Sequence, residues 1–478
     1  MSGLTNMLMR PIGAVHAAVA MSEEHGKPSG IDFDAGRVLV AGGGISLMQA
    51  STDLASAGYD VTIAFSGPLN AVTNDDAPGS CGFCDQLLPD ALKTQSESYC
   101  FRQALGVYDT VELMVNVALS GVEASAEGLT ATLVDDTGQE RELLVDALIV
   151  DHQGPPEADI PGVFRCGDAE LSKAGGLAAT MAGASATAGR VSTWLASRGK
   201  RHATTAVAER AENGVPTHLV AVVQQALIVG GTAAGVKAAA ALSARGVDVQ
   251  LVERSDGLAG DDEEQQRLWK ADNVTIHLDT ELVEHSGTVG RFLAVARRAD
   301  GEEVFLPHGA AIVAPEDNSP SERRGEIARL MGIELDGEGY YRAVSDWKPV
   351  DFARTGIFLA DGNSPTAEEN SQAAAQRVFN VLARQEMHAI KAHARVGVFC
   401  SSCQDCITLC PYEARSVNAD GATVVDSAVC NGCGICVVNC DTGAAELVNV
   451  HDRETERLIT STIESTRDLL AELEGDKG

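Results

Sequence analysis

The chain has 478 residues, 45% hydrophobic and 22% charged, the balance of a globular protein of several domains and not of a disordered chain. Acidic residues outnumber basic ones by 68 to 36, so the net charge is −32 at pH 7, and such a surface repels nucleic acid and anionic lipid headgroups. No apolar run reaches the roughly 18 to 20 residues of a membrane-spanning helix, so no direct membrane span is expected.

Residues 1–36 read as an N-terminal arm. Ala18-Val19-Ala20 imitates a signal-cleavage site, but Pro11 and His16 interrupt the apolar run before it, which argues against secretion. From Arg37 the pattern is strand, glycine turn, helix, strand: Val38-Leu39-Val40-Ala41, Gly42-Gly43-Gly44, an amphipathic run to Ala57, then Val61-Thr62-Ile63. The plan returns as Ala226-Leu227-Ile228-Val229, then Gly230-Gly231-Thr232-Ala233-Ala234-Gly235, a helix to Arg245, then Val249-Gln250-Leu251-Val252. Gly42 and Gly230, Gly58 and Gly246, and Asp60 and Asp248 are separated by the same number of residues, which argues for duplication. Each copy continues with a hairpin signal, Asp136-Thr137-Gly138 or Asp300-Gly301, and a buried-type strand, Ala147-Leu148-Ile149-Val150 or Ala311-Ile312-Val313-Ala314. Each ends in a short strand and a tight turn, at Cys166-Gly167-Asp168 and at Ala360-Asp361-Gly362.

The two fingerprints differ in chemistry. A dinucleotide site needs glycines at the turn, a helix N-terminus for the pyrophosphate, and an acidic residue ending the second strand to accept from ribose hydroxyls. Copy two has Gly230, Gly231, Gly235 and Glu253, with Arg254 beside it and Thr232 replacing the middle glycine. FAD is therefore expected there, with Ala233 and Ala234 opening the helix and Asp361 or the backbone at Gly362 toward the ribityl chain. Copy one keeps Gly42 and Gly44 but has Leu47 and Phe65 where copy two has Gly235 and Glu253, so a degenerate packing domain is favoured over a second FAD site.

Eight of the twelve cysteines form two runs of one spacing, Cys400, Cys403, Cys406, Cys410 and Cys430, Cys433, Cys436, Cys440. In the pattern C-x2-C-x2-C-x3-C, three thiolates of a run hold one 4Fe-4S cubane and the distant fourth completes the other. The expected sets are Cys400, Cys403, Cys406 with Cys440, and Cys430, Cys433, Cys436 with Cys410. Zinc and disulfides are the alternatives, and neither needs the third cysteine of each run. Residues 396–450 resemble a bacterial-type two-cluster ferredoxin, with Asp441 in place of the second proline. Thiolates feeding iron imply a reducing compartment, hence a cytoplasmic location. The remaining Cys81, Cys84, Cys100 and Cys166 leave three readings open: a third iron–sulfur cluster, a redox-active Cys81/Cys84 pair, or unrelated thiols.

The chain thus reads as α/β, two tandem Rossmann-like FAD-binding-type domains followed by a small α+β ferredoxin-like domain for two 4Fe-4S clusters. Its expected divisions are 37–197, a linker at 198–224, 225–388, 396–450, and a C-terminal helix at 451–478 with Ile459, Ile463, Leu470 and Leu473 on one stripe. Residues Leu330 to Asp336, Gly339-Tyr340, Pro349-Val350-Asp351, Gly356-Ile357-Phe358, Gly362, Pro365 and Ala373-Ala374-Ala375, together with Ser80-Cys81-Gly82-Phe83-Cys84, resemble the A subunit of heterodisulfide reductase and related flavoprotein subunits of quinone-interacting membrane-bound oxidoreductase complexes. That resemblance implies an electron-transferring flavo-iron–sulfur subunit whose partners are other subunits of a redox complex, membrane-associated only through such a partner. A self-sufficient NAD(P)H-dependent iron–sulfur flavoprotein and a flavin-empty assembly scaffold are the rival readings.

Overall fold

The computed structural model describes residues 35–67, 105, 108, 110–151, 160–168, 176–200, 218–315, 322–362, 366–389, 393–397, 400–410, 414–418, 421–425, 430 and 434–448. Cys81, Cys84, Cys100, Cys433, Pro365, residues 1–34 of the N-terminal arm and the 451–478 tail lie outside them.

Copy one runs β1 (Arg37–Ala41), α1 (Ile45–Ser56), β2 (Asp60–Phe65), β3 (Val111–Val115), β4 (Val117–Ser125), β5 (Gly128–Asp135), β6 (Glu140–Val145), β7 (Ala147–Asp151), β8 (Val163–Cys166) and α2 (Gly176–Ser197). A short strand β9 (His218–Ala221) follows. Copy two runs β10 (Gln225–Val229), α3 (Ala233–Ser243), β11 (Asp248–Val252), α4 (Asp262–Lys270), β12 (Val274–His277), β13 (Thr280–Thr288), β14 (Arg291–Arg298), β15 (Glu303–His308), β16 (Ala310–Val313), α5 (Glu322–Met331), β17 (Ile357–Leu359), α6 (Ala367–Leu382) and β18 (Glu386–Ala389).

The duplication holds in three dimensions. Each copy has a five-stranded parallel sheet, in the orders β3-β2-β1-β7-β8 and β12-β11-β10-β16-β17. Each also has a three-stranded antiparallel sheet, β4-β5-β6 or β13-β14-β15. The first two strands of each small sheet carry a register shift, between Leu119 and Gly121 and between Leu282 and Glu284, so even the irregularity is repeated. The central strands β1, β7, β10 and β16 are almost wholly apolar because helices or the small sheets cover both faces.

One hydrophobic core runs through both copies, from Val38 and Ile149 to Ile228 and Phe379. Alanine and glycine dominate α2, and α6 carries Ala373, Ala374 and Ala375, so these helices approach closely where the copies meet. A buried polar joint crosses this seam. Asp53 on α1 is fully buried and accepts from Gln49 Nε2 at 3.0 Å, Ser185 Oγ at 2.6 Å, Arg377 Nη1 at 2.6 Å and Asn380 Nδ2 at 3.1 Å. Four donors on one carboxylate offset its desolvation.

The expected linker at 198–224 needs one correction. Its end, β9, pairs antiparallel with β18, His218 opposite Ala389, so the last part of the linker is a strand laid against the end of copy two. The C-terminal region comprises β19 (His393–Val396), α7 (Asp405–Thr408), β20 (Arg415–Val417), β21 (Thr423–Val425), α8 (Ile435–Val438) and β22 (Ala445–Val448). It forms two small antiparallel ladders, β19-β22 and β20-β21, around a core of Ala394, Ala414, Cys430 and Cys436. No described helix is long and apolar enough to cross a membrane.

Candidate functional site

In copy two the turn after β10 shows why glycine is needed. Gly230 has φ +114°, and a Cβ there would run into the carbonyl of Ala314. A Cβ on Gly235 would run into the carbonyl of Gly230, so α3 can approach β10 only because Gly235 has no side chain. Thr232 caps α3, its hydroxyl accepting from Gly235 N at 3.2 Å, so the departure from the usual glycine supplies an N-cap. Among the described residues no protein acceptor bonds the N–H groups of Ala233 and Ala234, the first of the helix.

Glu253, directly after β11, is 4% exposed. One carboxylate oxygen accepts from Gly231 N at 2.5 Å and the other from Ser255 N at 2.7 Å and Ser255 Oγ at 2.9 Å. The carboxylate is thereby fixed against the glycine turn, where the oxygen that accepts from Gly231 still has a lone pair to offer. Arg254 instead points to the surface, its Nε 3.9 Å from Glu281. Asp361 and Gly362 follow β17, half-buried.

Copy one fills the same two places with its own side chains. The Phe65 ring lies against Gly43, so that a Cβ on Gly43 would meet it at 2.5 Å. The Asp168 carboxylate caps α1 with both oxygens, accepting from Ile45 N and Ser46 N, each at 3.0 Å. Leu47, in the place of Gly235, is buried against Gly42. The ribose position is thus apolar and the anion position holds a carboxylate, an arrangement that does not fit a dinucleotide at Gly42 and Gly44. Strand register explains the asymmetry: Val163 pairs with Leu148 and Ile357 with Ala311, which sets Gly362 opposite Asp168 and leaves copy two without the capping carboxylate.

Cys166 lies beside this closed turn. It is 4% exposed, and burial pushes its thiol up to about 11, partly offset by hydrogen bonds with Ser46 and Thr187. A thiol held neutral in this way is a poor nucleophile.

The second candidate site is in the C-terminal region. Cys400, Cys403, Cys406 and Cys440 line one cavity of about 360 Å3, including its open mouth, together with Val396, Arg415, Thr423 and Ala445. These are the four cysteines of the first expected set. Cys430, Cys436 and Cys410 of the second set meet in the small core with Ala394 and Ala414. Backbone N–H groups donate to the sulfurs: Ser402 to Cys400 and Ala445 to Cys440 at 3.4 Å, Ala414 to Cys410 at 3.3 Å, and Ala394 to Cys430 at 3.4 Å. Thr442 and the Ala445 N–H hold the Cys440 thiol below its ordinary value, which favours the thiolate. Ser402 (φ 57°) and Gln404 (φ 68°) are left-handed without being glycine, a strain that recurs where a loop is shaped around a site.

Among the described residues no three Cys, His, Asp or Glu side chains converge as the ligands of a single metal ion do. A zinc ion would draw four sulfurs to about 2.3 Å from one point.

Signals within copy two were legible in sequence; the capping by Asp168 was not, because it joins residues far apart in the chain. A third buried feature was also missed. His285 and His308 face each other through their Nε2 atoms at 3.1 Å beneath Phe292, and His308 Nδ1 is 2.9 Å from the carbonyl of Leu306. Burial lowers both, His285 to about 2 and His308 to about 4, and the pair stays neutral.

Comparison with known proteins agrees with the location of the first site. Residues 225–296 match the pyridine nucleotide-disulphide oxidoreductase family. A protein of Archaeoglobus profundus that is like the A subunit of heterodisulfide reductase is 33% identical over 102 residues, 20% of this chain and 15% of that protein, so the likeness spans a small part of its length. Among solved structures, thioredoxin reductase of Lactococcus lactis aligns at 18% identity over 73% of this chain and 99% of its own, with a TM-score of 0.20. Thioredoxin reductase of Giardia duodenalis aligns at 15% over 73% and 98%, with a TM-score of 0.21. Scores this low carry no functional argument. Residues 225–296, which hold the Gly230 turn and Glu253, thus resemble the pyridine nucleotide-disulphide oxidoreductase family.

Proposed function

We propose that this protein is an electron-transfer flavo-iron–sulfur subunit of a heterodisulfide-reductase-like or quinone-linked redox complex. One FAD belongs in copy two and two 4Fe-4S clusters in the C-terminal cysteine sets. The observation that carries the flavin assignment is the contrast between copies: the carboxylate and helix N-terminus that copy two leaves available are replaced in copy one by Phe65 and Asp168.

Within copy two, Gly230, Gly231 and Gly235 let the backbone come close to a pyrophosphate. Ala233 and Ala234 offer N–H groups to it, and Glu253 accepts from ribose hydroxyls. Asp361 and the Gly362 backbone stand toward the ribityl chain. Arg254, paired with Glu281, takes no part. Cys400, Cys403, Cys406 and Cys440 hold one cluster and Cys430, Cys433, Cys436 and Cys410 the other, with backbone N–H groups donating to the sulfurs. When bound, the flavin supplies exchange between paired and single electrons and the clusters supply one-electron steps.

The terminal substrate site then belongs to a partner protein, and membrane association, where it occurs, runs through that partner from the cytoplasmic side. A self-sufficient nicotinamide-dependent enzyme would need copy one as its nucleotide site, which Phe65 and Asp168 oppose. The test is an anaerobic titration of the full chain with a low-potential reductant, followed by absorbance and EPR. Joint reduction of bound flavin and clusters to one equilibrium is expected; flavin that stays oxidised beside reduced clusters, or a folded chain without flavin, contradicts the proposal.

A further inference from the structure

After the first cysteine run the chain reads Cys410, then Ala414-Arg415; after the second it reads Cys440, then Ala444-Ala445. An arginine therefore stands where the repeat has alanine. It is also buried, with 5% of its surface exposed, in a chain whose net charge is −32. Nη1 of Arg415 donates to Cys406 Sγ at 3.4 Å, and Nη2 donates to Cys436 Sγ at 3.1 Å. No carboxylate among the described residues pairs with it. A buried guanidinium needs an anionic partner, and among the described residues these two sulfurs are the ones in reach. Cys406 lines the first cavity and also packs against the small core, where Cys436 sits with Cys430 and Cys410. One side chain thus touches both cysteine sets.

We infer that Arg415 is a positioning residue shared by the two cluster sites, donating one hydrogen bond to a ligand sulfur of each and holding both reduction potentials up. The inference rests on the proposed function, in that both sets must carry 4Fe-4S clusters. Reduction adds one electron to a cluster from the external reductant, while the guanidinium keeps its proton and charge throughout. A fixed positive charge and a hydrogen bond at sulfur both favour the more negative, reduced state. The shorter contact, to Cys436, makes the effect larger at the second set.

The experiment is an EPR-monitored redox titration of anaerobically reconstituted full-length protein, with iron counted first, on the native chain, R415M and R415K. In R415M both midpoint potentials fall by at least a tenfold change in the reduction equilibrium, about 59 mV for one electron, with the iron content retained. Lysine keeps the charge but cannot fork to two sulfurs, so R415K restores one potential and leaves the other lowered. Full iron with both potentials unmoved in R415M overturns the inference and leaves the clusters standing. If R415M loses iron, R415K decides: two unmoved potentials overturn it. A native chain without iron overturns the proposed function itself.

Discussion

Replacing Glu253 by glutamine removes one charge and changes one atom, and the consequence can be worked out from three hydrogen bonds. The carboxylate accepts from Gly231 N on one oxygen and from Ser255 N and Oγ on the other. An amide has one acceptor and one donor end. Whichever way it turns, an NH2 group faces a backbone N–H in a site only 4% exposed. Leaving such a buried donor unsatisfied costs about 1 to 3 kcal/mol, and the hydrogen bonds lost to a charged acceptor are of about the same size. That cost is present without ligand and falls on stability; what binding loses is the charge-assisted bond from the ribose hydroxyl, about 1.5 to 3 kcal/mol, or roughly 10- to 150-fold in FAD affinity. Calorimetric titration of the flavin-stripped protein reads it directly, with iron content and the thermal midpoint as controls for folding. An affinity within twofold of the native chain in a well-folded E253Q would falsify the assignment of Glu253 to the ribose.

Three other substitutions test separate parts of the structure. Asp53→Ala takes the acceptor from Ser185 and Asn380 and leaves the half-buried Arg377 with Asp351, so it should cost about 2 to 5 kcal/mol in denaturant unfolding; a loss under about 1 kcal/mol means the joint between the copies is not what holds them. The His285/His308 pair has folded-state values below the ordinary 6.5, so the unfolded chain takes up protons first as the pH falls. Stability present above about pH 6.5 should decline toward pH 4 by about 1.4 kcal/mol per pH unit for each histidine, and H285F should flatten that slope; equal slopes in both proteins would show that the pair protonates freely when folded. Crossed cysteine sets make a third, non-additive expectation. C440A and the double variant C400A/C440A should lose the same iron, about four atoms per chain, while C410A/C440A loses nearly all of it; additive loss in C400A/C440A means the sets are drawn wrongly.

How much could be read from sequence depended on how local each signal is. The two glycine turns, the hairpins and the paired cysteine runs are short patterns whose spacing fixes their geometry, and the two sheets follow from them. Even the rank of the two copies was visible, since Phe65 and Leu47 announce their misfit where they stand. The capping of α1 by Asp168 was hidden because a carboxylate after β8 meets a helix N-terminus only once the parallel sheet has formed. The same holds for Asp53 and Arg377, brought together by the packing of α1 on α6. β9 escaped notice because four residues are too few to show a period, and it is a strand only through β18. Arg415 carries no signal of its own in sequence, because its two sulfur partners meet it only in the fold.

The most direct test of the central claim is the iron, sulfide, zinc and flavin content of the full chain purified without oxygen. About eight iron atoms, a similar amount of sulfide and about one flavin per chain is the expected result, with less flavin retained by E253Q. Zinc in place of iron, two flavins per chain, or no flavin in a folded preparation would contradict it.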